Sequence, residues 1–401
     1  MTPWFALEYN DKHKFWLQRL FRETGYFRQI RATGTIKNPV VHLRPMNIFQ
    51  ANKPFLIAGP CSAESESQMI EIAHAFREMP VNMIRAGIWK PRSRPGHFEG
   101  RGEMALPWLK QVKEVSGKPI CIEVASSEQA ELALKFQIDA IWIGARTSVN
   151  PFMVQEIADA LKGSEMAVLV KNPVNPDIEL WSGAVERMLE AGLTNIAAIH
   201  RGFSAYDPTS VYRNKPMWAL PIELHRRYPE LPIFCDISHI SGKRNLLAEI
   251  AQRALDLDFD GLMIETHPDP DQALSDSAQQ ITPRQLGQLL DGLTLRRAGK
   301  FDSLEIEQIR QVIDTMDAEV VDIVGKRMEL VRQLAHVKLK HNMPIFQKER
   351  WQEIIESRTH WGLKNQLKEK FMLKLFELIH DQSIQTQIDE LQQMQQAENK
   401  D

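Results

Sequence analysis

Cysteine is scarce in this chain, with three among 401 residues: Cys61, Cys121 and Cys235. Three thiols cannot form a disulfide framework, so the expected compartment is reducing and the expected location cytoplasmic. Long apolar runs are missing as well. No stretch reaches the roughly 18 uninterrupted apolar residues of a membrane span, and the first residues lack the apolar core of a signal peptide. Charge of one sign is also absent, with 49 Lys and Arg against 52 Asp and Glu. That balance argues against affinity for nucleic acid built on phosphate neutralisation and favours small ligands.

A local shortage divides the chain. Gly325, Gly362 and Pro344 are the only glycines and proline after residue 300, whereas 18 of 20 Gly and 21 of 22 Pro precede it. Residues 299–401, rich in Glu, Lys, Leu and Gln, therefore read as an all-α helical domain. Residues 46–298 read as a separate domain. Residues 1–45, aromatic and basic with Trp4, Phe5, Phe15, Trp16, Phe21 and Phe27, form an extension to which the sequence assigns no role.

What is present in the larger domain is a recurring short apolar run. Phe55–Gly59, Met83–Gly87, Ile120–Val124, Ala140–Gly144, Ala167–Val170, Ile196–Ile199, Ile233–Cys235 and Gly261–Ile264 lack regular polar alternation, as expected of parallel strands covered on both faces. Helical spacing occupies Gln68–Met79, Met104–Val115, Glu128–Phe136, Pro151–Leu161, Val185–Ala191 and Leu246–Leu255. Eight such units over about 250 residues predict an α/β fold, a (β/α)8 TIM barrel. An open doubly wound sheet would use fewer strands.

Barrel enzymes carry their chemistry where the strands end. Six cationic side chains, Arg85, Lys90, Arg92, Arg146, Lys171 and Arg201, follow strands two, four, five and six. Like charges converging on one mouth repel unless anions sit there, and guanidinium forks match phosphate and carboxylate. Ion pairs with Glu64, Glu123 and Asp236 would explain single members of the set but not the set. Cys61, His239, Glu265 and Asp276 follow strands one, seven and eight, which are neighbours in a closed barrel. That mixture suits one divalent ion, Mn2+, Fe2+, Co2+ or Zn2+, acting as Lewis acid. A Schiff-base aldolase with Lys171 or Lys90 as nucleophile is the alternative chemistry.

The runs Ala58-Gly59-Pro60-Cys61-Ser62, Arg85-Ala86-Gly87-Ile88-Trp89-Lys90-Pro91-Arg92, Ile143-Gly144-Ala145-Arg146, Asp236-Ile237-Ser238-His239 and Met263-Ile264-Glu265-Thr266-His267-Pro268, with Leu274-Ser275-Asp276, carry a resemblance. Across roughly residues 55–295 the chain resembles the 3-deoxy-D-arabino-heptulosonate-7-phosphate (DAHP) synthases of the type I beta subgroup. The resemblance implies Cys61, His239, Glu265 and Asp276 as metal ligands. It implies Arg85, Lys90, Arg146, Lys171 and Arg201 as the phosphoenolpyruvate site, and Lys90, Pro91, Arg92 and Ser93 as the erythrose 4-phosphate site, with Lys90 and Arg92 catalytic. The eight-carbon sibling enzymes typically carry Lys-Ala-Asn where Lys90-Pro91-Arg92 stands, which favours the four-carbon aldose. Ser93 stands in place of the usual Thr and Arg94 in place of the usual Ser.

In the tail, residues 303–340 read as one helix capped by Ser303, followed by helices near Gln347–Thr359 and Asn365–Met394. A helix that long, about 57 Å, needs a second copy or another surface to cover its apolar side, so a homodimer or larger homo-oligomer is expected. Arg327 and Lys338 differ by about 20° of helical rotation and share a face, whereas Arg310 lies about 100° away. Ser383 and Gln387 share a face of the third helix.

This spacing resembles the all-helical AroQ class of chorismate mutase over about residues 304–391. The resemblance implies Arg327 and a partner-supplied Arg310 for the two carboxylates, catalytic Lys338 and Gln387 for the ether oxygen, Ser383 for a carboxylate and Arg350 in support. Gln347 and Trp351 stand where that family usually has acids near the substrate hydroxyl, with Glu349 or Glu353 as potential replacements. A helical module that only binds prephenate or chorismate, or only dimerises, is the alternative. The two resemblances belong to one biosynthetic route, that of the aromatic amino acids. They are not consecutive steps, so allosteric regulation rather than channelling is the expected reason for their fusion.

Overall fold

A computed structural model describes residues 48–50, 54–91, 96, 98–204, 209–295 and 304–398. The N-terminal extension, the Ser303 cap and the predicted substrate residues Arg92 and Ser93 lie outside them. The chain divides into two compact units, Met1–Ala298 and Gly299–Asp401. No described helix is long and apolar enough to cross a membrane.

In the first unit eight parallel strands close on themselves in sequential order: β1 Phe55–Gly59, β2 Met83–Ala86, β3 Ile120–Val124, β4 Ala140–Ile143, β5 Ala167–Lys171, β6 Ile196–His200, β7 Ile233–Asp236 and β8 Gly261–Glu265. Closure is made by five residue pairs running from Phe55 opposite Gly261 to Gly59 opposite Glu265. The unbroken apolar runs have a simple cause: alternate residues of each strand enter two different cores. Along β4, Ala140 and Trp142 point into the barrel lumen, while Ile141 and Ile143 pack against the surrounding helices. At the amino-terminal end of the barrel Phe49, Phe55 and Phe234 meet edge to face, with centroids 5.6–5.8 Å apart.

The helices around the barrel are α1 Glu66–Phe76, α2 Leu106–Ser116, α3 Ser127–Lys135, α4 Pro151–Leu161, α5 Ile178–Glu190, α6 Ala219–Arg227, α7 Ile237–Ser241, α8 Leu247–Asp256 and α9 Pro283–Asp291. Helix α5 begins seven residues before the predicted Val185. The Asp177 carboxylate accepts from the N–H groups of Glu179 at 2.9 Å and Leu180 at 3.0 Å, and this cap overrides the poor helical propensity of Ser182 and Gly183. Helices α6, α7 and α9 escaped the periodicity reading. Of these, α7 matters most, because it takes His239 off the strand end and onto a five-residue helix capped by Asp236.

The second unit contains α10 Leu304–Lys340, α11 Lys348–Lys364 and α12 Glu369–Glu398. At 37 residues, α10 extends about 55 Å. Its apolar face is covered unevenly. Val331 and Ala335 are buried, whereas Ile309, Val312, Ile313, Met316, Val320 and Ile323 are 49–63% exposed.

Candidate active sites

The carboxyl ends of the barrel strands enclose a polar cleft lined by Cys61, Lys90, Pro91, Glu123, Arg146, Lys171, Arg201, Arg213, His239 and Asp276. Sequence reasoning named most of these. Two glycines let long side chains through: a Cβ on Gly87 would stand 2.4 Å from Lys90 Cε, and one on Gly144 would stand 2.2 Å from Glu123 Oε1.

Counter-charges tune the cationic set without neutralising all of it. Arg85 is wholly buried, with Nη2 3.0 Å from Glu265 Oε1 and Nη1 3.9 Å from Asp236. Lys171 Nζ donates to Asp236 at 2.7 Å, and Lys90 Nζ lies 3.7 Å from Glu123. Burial disfavours the charge on Lys90 and on Arg85, yet the surrounding Cys61, Glu123, Glu265 and Asp236 outweigh it and raise both groups. Arg201 is different. Burial brings it down to about 10, and its nearest partners are neutral, with Nη1 donating to Asn214 Oδ1 at 2.9 Å. Beneath the cluster the Trp142 ring faces Arg85 Cζ at 4.9 Å and Lys171 Nζ at 5.4 Å, a cation–π floor that offsets part of the like-charge repulsion.

Beside these cations the ligand atoms of Cys61, Glu265 and Asp276 all lie within 4.8 Å of one another. Cys61 Sγ is 3.6 Å from Asp276 Oδ2. His239 adjoins the trio, its Nε2 4.0 Å from Asp276 and its Nδ1 3.8 Å from Glu265 and 2.9 Å from Asp236. Burial lowers His239 and so favours the neutral ring, the form that ligates metals. Burial, reinforced by Glu265, pushes the Cys61 thiol up to about 12. Two carboxylates, a neutral imidazole and a thiol that would lose its proton to solvent on binding a cation form a fitting donor set for a borderline divalent ion. Asp276 reaches the site from a left-handed backbone, φ 48°.

In the helical unit Arg327, Ser383 and Gln387 form a second polar cluster, and Lys338 is buried on the same long helix as Arg327. Arg327 Nη1 donates to Ser383 Oγ at 2.6 Å, and Gln387 Nε2 donates to the Ser383 carbonyl at 3.1 Å. Lys338, Ser383 and Gln387 are only 5–6% exposed. Lys338 Nζ donates to the Ile345 carbonyl, and burial lowers its affinity for a proton. Gln387 Oε1 is buried without a hydrogen-bond partner. Arg310 and Arg350 do not join the cluster: each is exposed and paired on its own helix, Arg310 with Glu307 at 2.8 Å and Arg350 with Glu353 at 2.6 Å. Glu353 is thereby occupied. Trp351 instead stacks on His380, with centroids 4.1 Å apart, and His380 Nε2 is buried without a hydrogen-bond partner within field range of Arg327 and Lys338.

Residues 39–294 match the DAHP synthetase I family. The chain belongs to that family, and residues 309–388 match chorismate mutase type II, so a mutase domain follows the barrel. Among curated proteins, the phospho-2-dehydro-3-deoxyheptonate aldolase of Thermotoga maritima is 31% identical over 56% of this chain, which spans 64% of that relative's length. The 2-dehydro-3-deoxyphosphooctonate aldolase of Methylobacterium radiotolerans is 28% identical over 59% of this chain and 87% of its own length. The crystal structure of the Thermotoga maritima DAHP synthase superposes with a TM-score of 0.53 at 29% identity, covering 59% of this chain and 67% of that one.

Proposed function

We propose that the barrel condenses phosphoenolpyruvate with erythrose 4-phosphate to give DAHP, and that the helical unit rearranges chorismate to prephenate. The observation that carries the first reading is the adjacency of a cationic cleft to the Cys61–Glu265–Asp276 cluster. Arg85, Lys90, Arg146, Lys171 and Arg201 hold the phosphate and carboxylate of phosphoenolpyruvate. Lys90 and Pro91, continuing into Arg92 and Ser93, receive the aldose phosphate, and the Pro-Arg pair selects the four-carbon sugar. Cys61, His239, Glu265 and Asp276 hold the ion, whether Mn2+, Fe2+, Co2+ or Zn2+, which when bound supplies Lewis-acid polarisation of the aldehyde. The anion pocket orients the enol carbon toward that aldehyde and offsets charge as water adds and phosphate leaves. Lys90 lines the cleft and belongs to both substrate sets, which makes it the protein's own candidate for guiding the proton to the new alkoxide.

In the helical unit no nucleophile is required, because the rearrangement is unimolecular and needs a pocket shaped to its transition state. Arg327 and Ser383 bind a carboxylate. Lys338 donates to the ether oxygen, joined by Gln387 once its amide turns from the Ser383 carbonyl. Arg310 comes from a second copy, whose helix covers the exposed stripe Ile309–Ile323, so the assembly is a homodimer or a multiple of one. Three free, buried cysteines suit a reducing cytoplasm. One observation favours a second reading of this unit as a non-catalytic sensor of prephenate or chorismate: an aromatic stack of Trp351 on His380 occupies the place of the family's acid.

The test is direct. The full chain should consume phosphoenolpyruvate and erythrose 4-phosphate, lose that activity on chelation and regain it with a divalent ion. Activity that survives complete chelation would overturn the metal reading, and inactivation by borohydride only in the presence of substrate would point to the Schiff-base route. Chorismate turnover by residues 300–401 separates mutase from sensor.

A further inference from the structure

Gln279 played no part in the sequence reading, yet it touches both halves of the barrel site. Its side chain is 1% exposed. The amide nitrogen donates to Glu265 Oε2 at 2.6 Å, and the amide oxygen accepts from Arg213 Nη1 at 2.7 Å. Arg213 lines the anion cleft and reaches Asp276 Oδ1 at 3.2 Å. The backbone N–H of Gln279 donates to the Asp276 carbonyl at 3.2 Å, closing the short 3-10 turn that follows the left-handed Asp276. Four groups thus form a ring: Arg213 to Gln279, Gln279 to Glu265, Glu265 across the ion site to Asp276, and Asp276 back to Arg213.

The chemistry of the ring permits little else at position 279. Glu265 needs a donor and Arg213 needs an acceptor, so a side chain between them must carry one of each at fixed separation. A primary amide does this, whereas a carboxylate would meet Glu265 with no proton to give. Glu265 Oε1 faces Arg85, so Gln279 fixes the other oxygen and with it the rotation of the carboxylate.

We propose that Gln279 is a positioning residue of the metal site, setting the aim of Glu265 and anchored in turn by Arg213. The inference rests on the metal-dependent reading above. Such outer groups are typically worth about 10- to 100-fold in metal affinity.

The test is Mn2+ binding to the metal-free full chain, followed by the electron paramagnetic resonance of the free ion, with no substrate present. Gln279→Met should weaken binding by about 10- to 100-fold, while the metal-free protein still unfolds in one cooperative transition at a midpoint lowered by the donor that Glu265 loses. Arg213→Lys, which keeps a cation beside Asp276 but gives up the guanidinium's reach to Gln279 at the solvent-facing end of the ring, should also weaken binding, and it carries the test if the buried variant does not fold. In the double variant the two losses should fall short of their product, since both act through one carboxylate. Wild-type affinity in either single variant, or losses that multiply fully, would overturn the proposal. A wild-type chain that binds neither Mn2+ nor another divalent ion would overturn the metal reading itself, a result the variants cannot mimic.

Discussion

Arg85 Nη2 and Glu265 Oε1 face each other at 3.0 Å, both side chains wholly buried, so a cation without solvent contact is paired with one of the three clustered metal-ligand candidates. Removing one partner strands a charge. Arg85→Met is expected to cost the metal-free barrel about 3–5 kcal/mol, measured by urea unfolding, and a saturating divalent ion should return part of it by supplying the missing positive charge. An unchanged unfolding midpoint would show that Glu265 takes up a proton instead.

Lys338 concentrates the mutase prediction. With one charge-bearing donor at the ether oxygen removed, Lys338→Ala should lower chorismate turnover by about 10²- to 10³-fold while light scattering reports the same oligomer. Wild-type turnover in that variant removes Lys338 from the chemistry.

Oligomerisation is checked at the uncovered stripe of α10. Ile313→Glu places a charge among apolar residues that a second copy is expected to bury, so the particle mass should fall toward that of one chain and mutase activity should fall with it. A monomeric wild type would leave Arg310 without a pocket to serve.

His200 provides a pH signature. Its ring lies among Trp181, Phe203, Trp218 and Phe259, with centroids 5.3–6.3 Å away, and burial followed by Arg201 lowers it to about 3. The folded state keeps this ring neutral, while the unfolded chain takes up a proton below about pH 6.5. The stabilisation is therefore complete above pH 6.5 and is lost as pH falls toward 3, by up to about 1.4 kcal/mol per pH unit. Equilibrium unfolding of His200→Phe should show a slope shallower by one proton over that window, and identical slopes would rule the effect out.

Regulation has its own discriminating comparison. If the helical unit controls condensation, prephenate should alter DAHP formation by the full chain and leave a chain ending at Ala298 unaffected. Equal responses would place any effector site in the barrel.

Strand positions were legible because burial on two faces leaves an unbroken apolar run, and candidate site residues were legible where they stand within two positions of the end of such a run, as Cys61, Arg146, Lys171 and Glu265 do. Arg213 and Gln279 lie within long connections after β6 and β8, where no periodicity fixes which way a side chain turns. Trp142 read as one more apolar strand residue, although its ring underlies two cations. In the helices phase arithmetic sets Arg310 apart from Arg327, whereas the pairing of Arg350 with Glu353 and the stacking of Trp351 on His380 are choices of rotamer that spacing alone does not encode.

The seam between β1 and β8 sets when the candidate ion site can form. Cys61 and Asp276 stand 215 positions apart, so the cluster is absent until the last strand has found the first. A nascent or clipped barrel keeps the lone thiol but not the carboxylates. An ion held there would add its binding free energy to the closed barrel and little to an open one, so ion uptake is expected to follow ring closure.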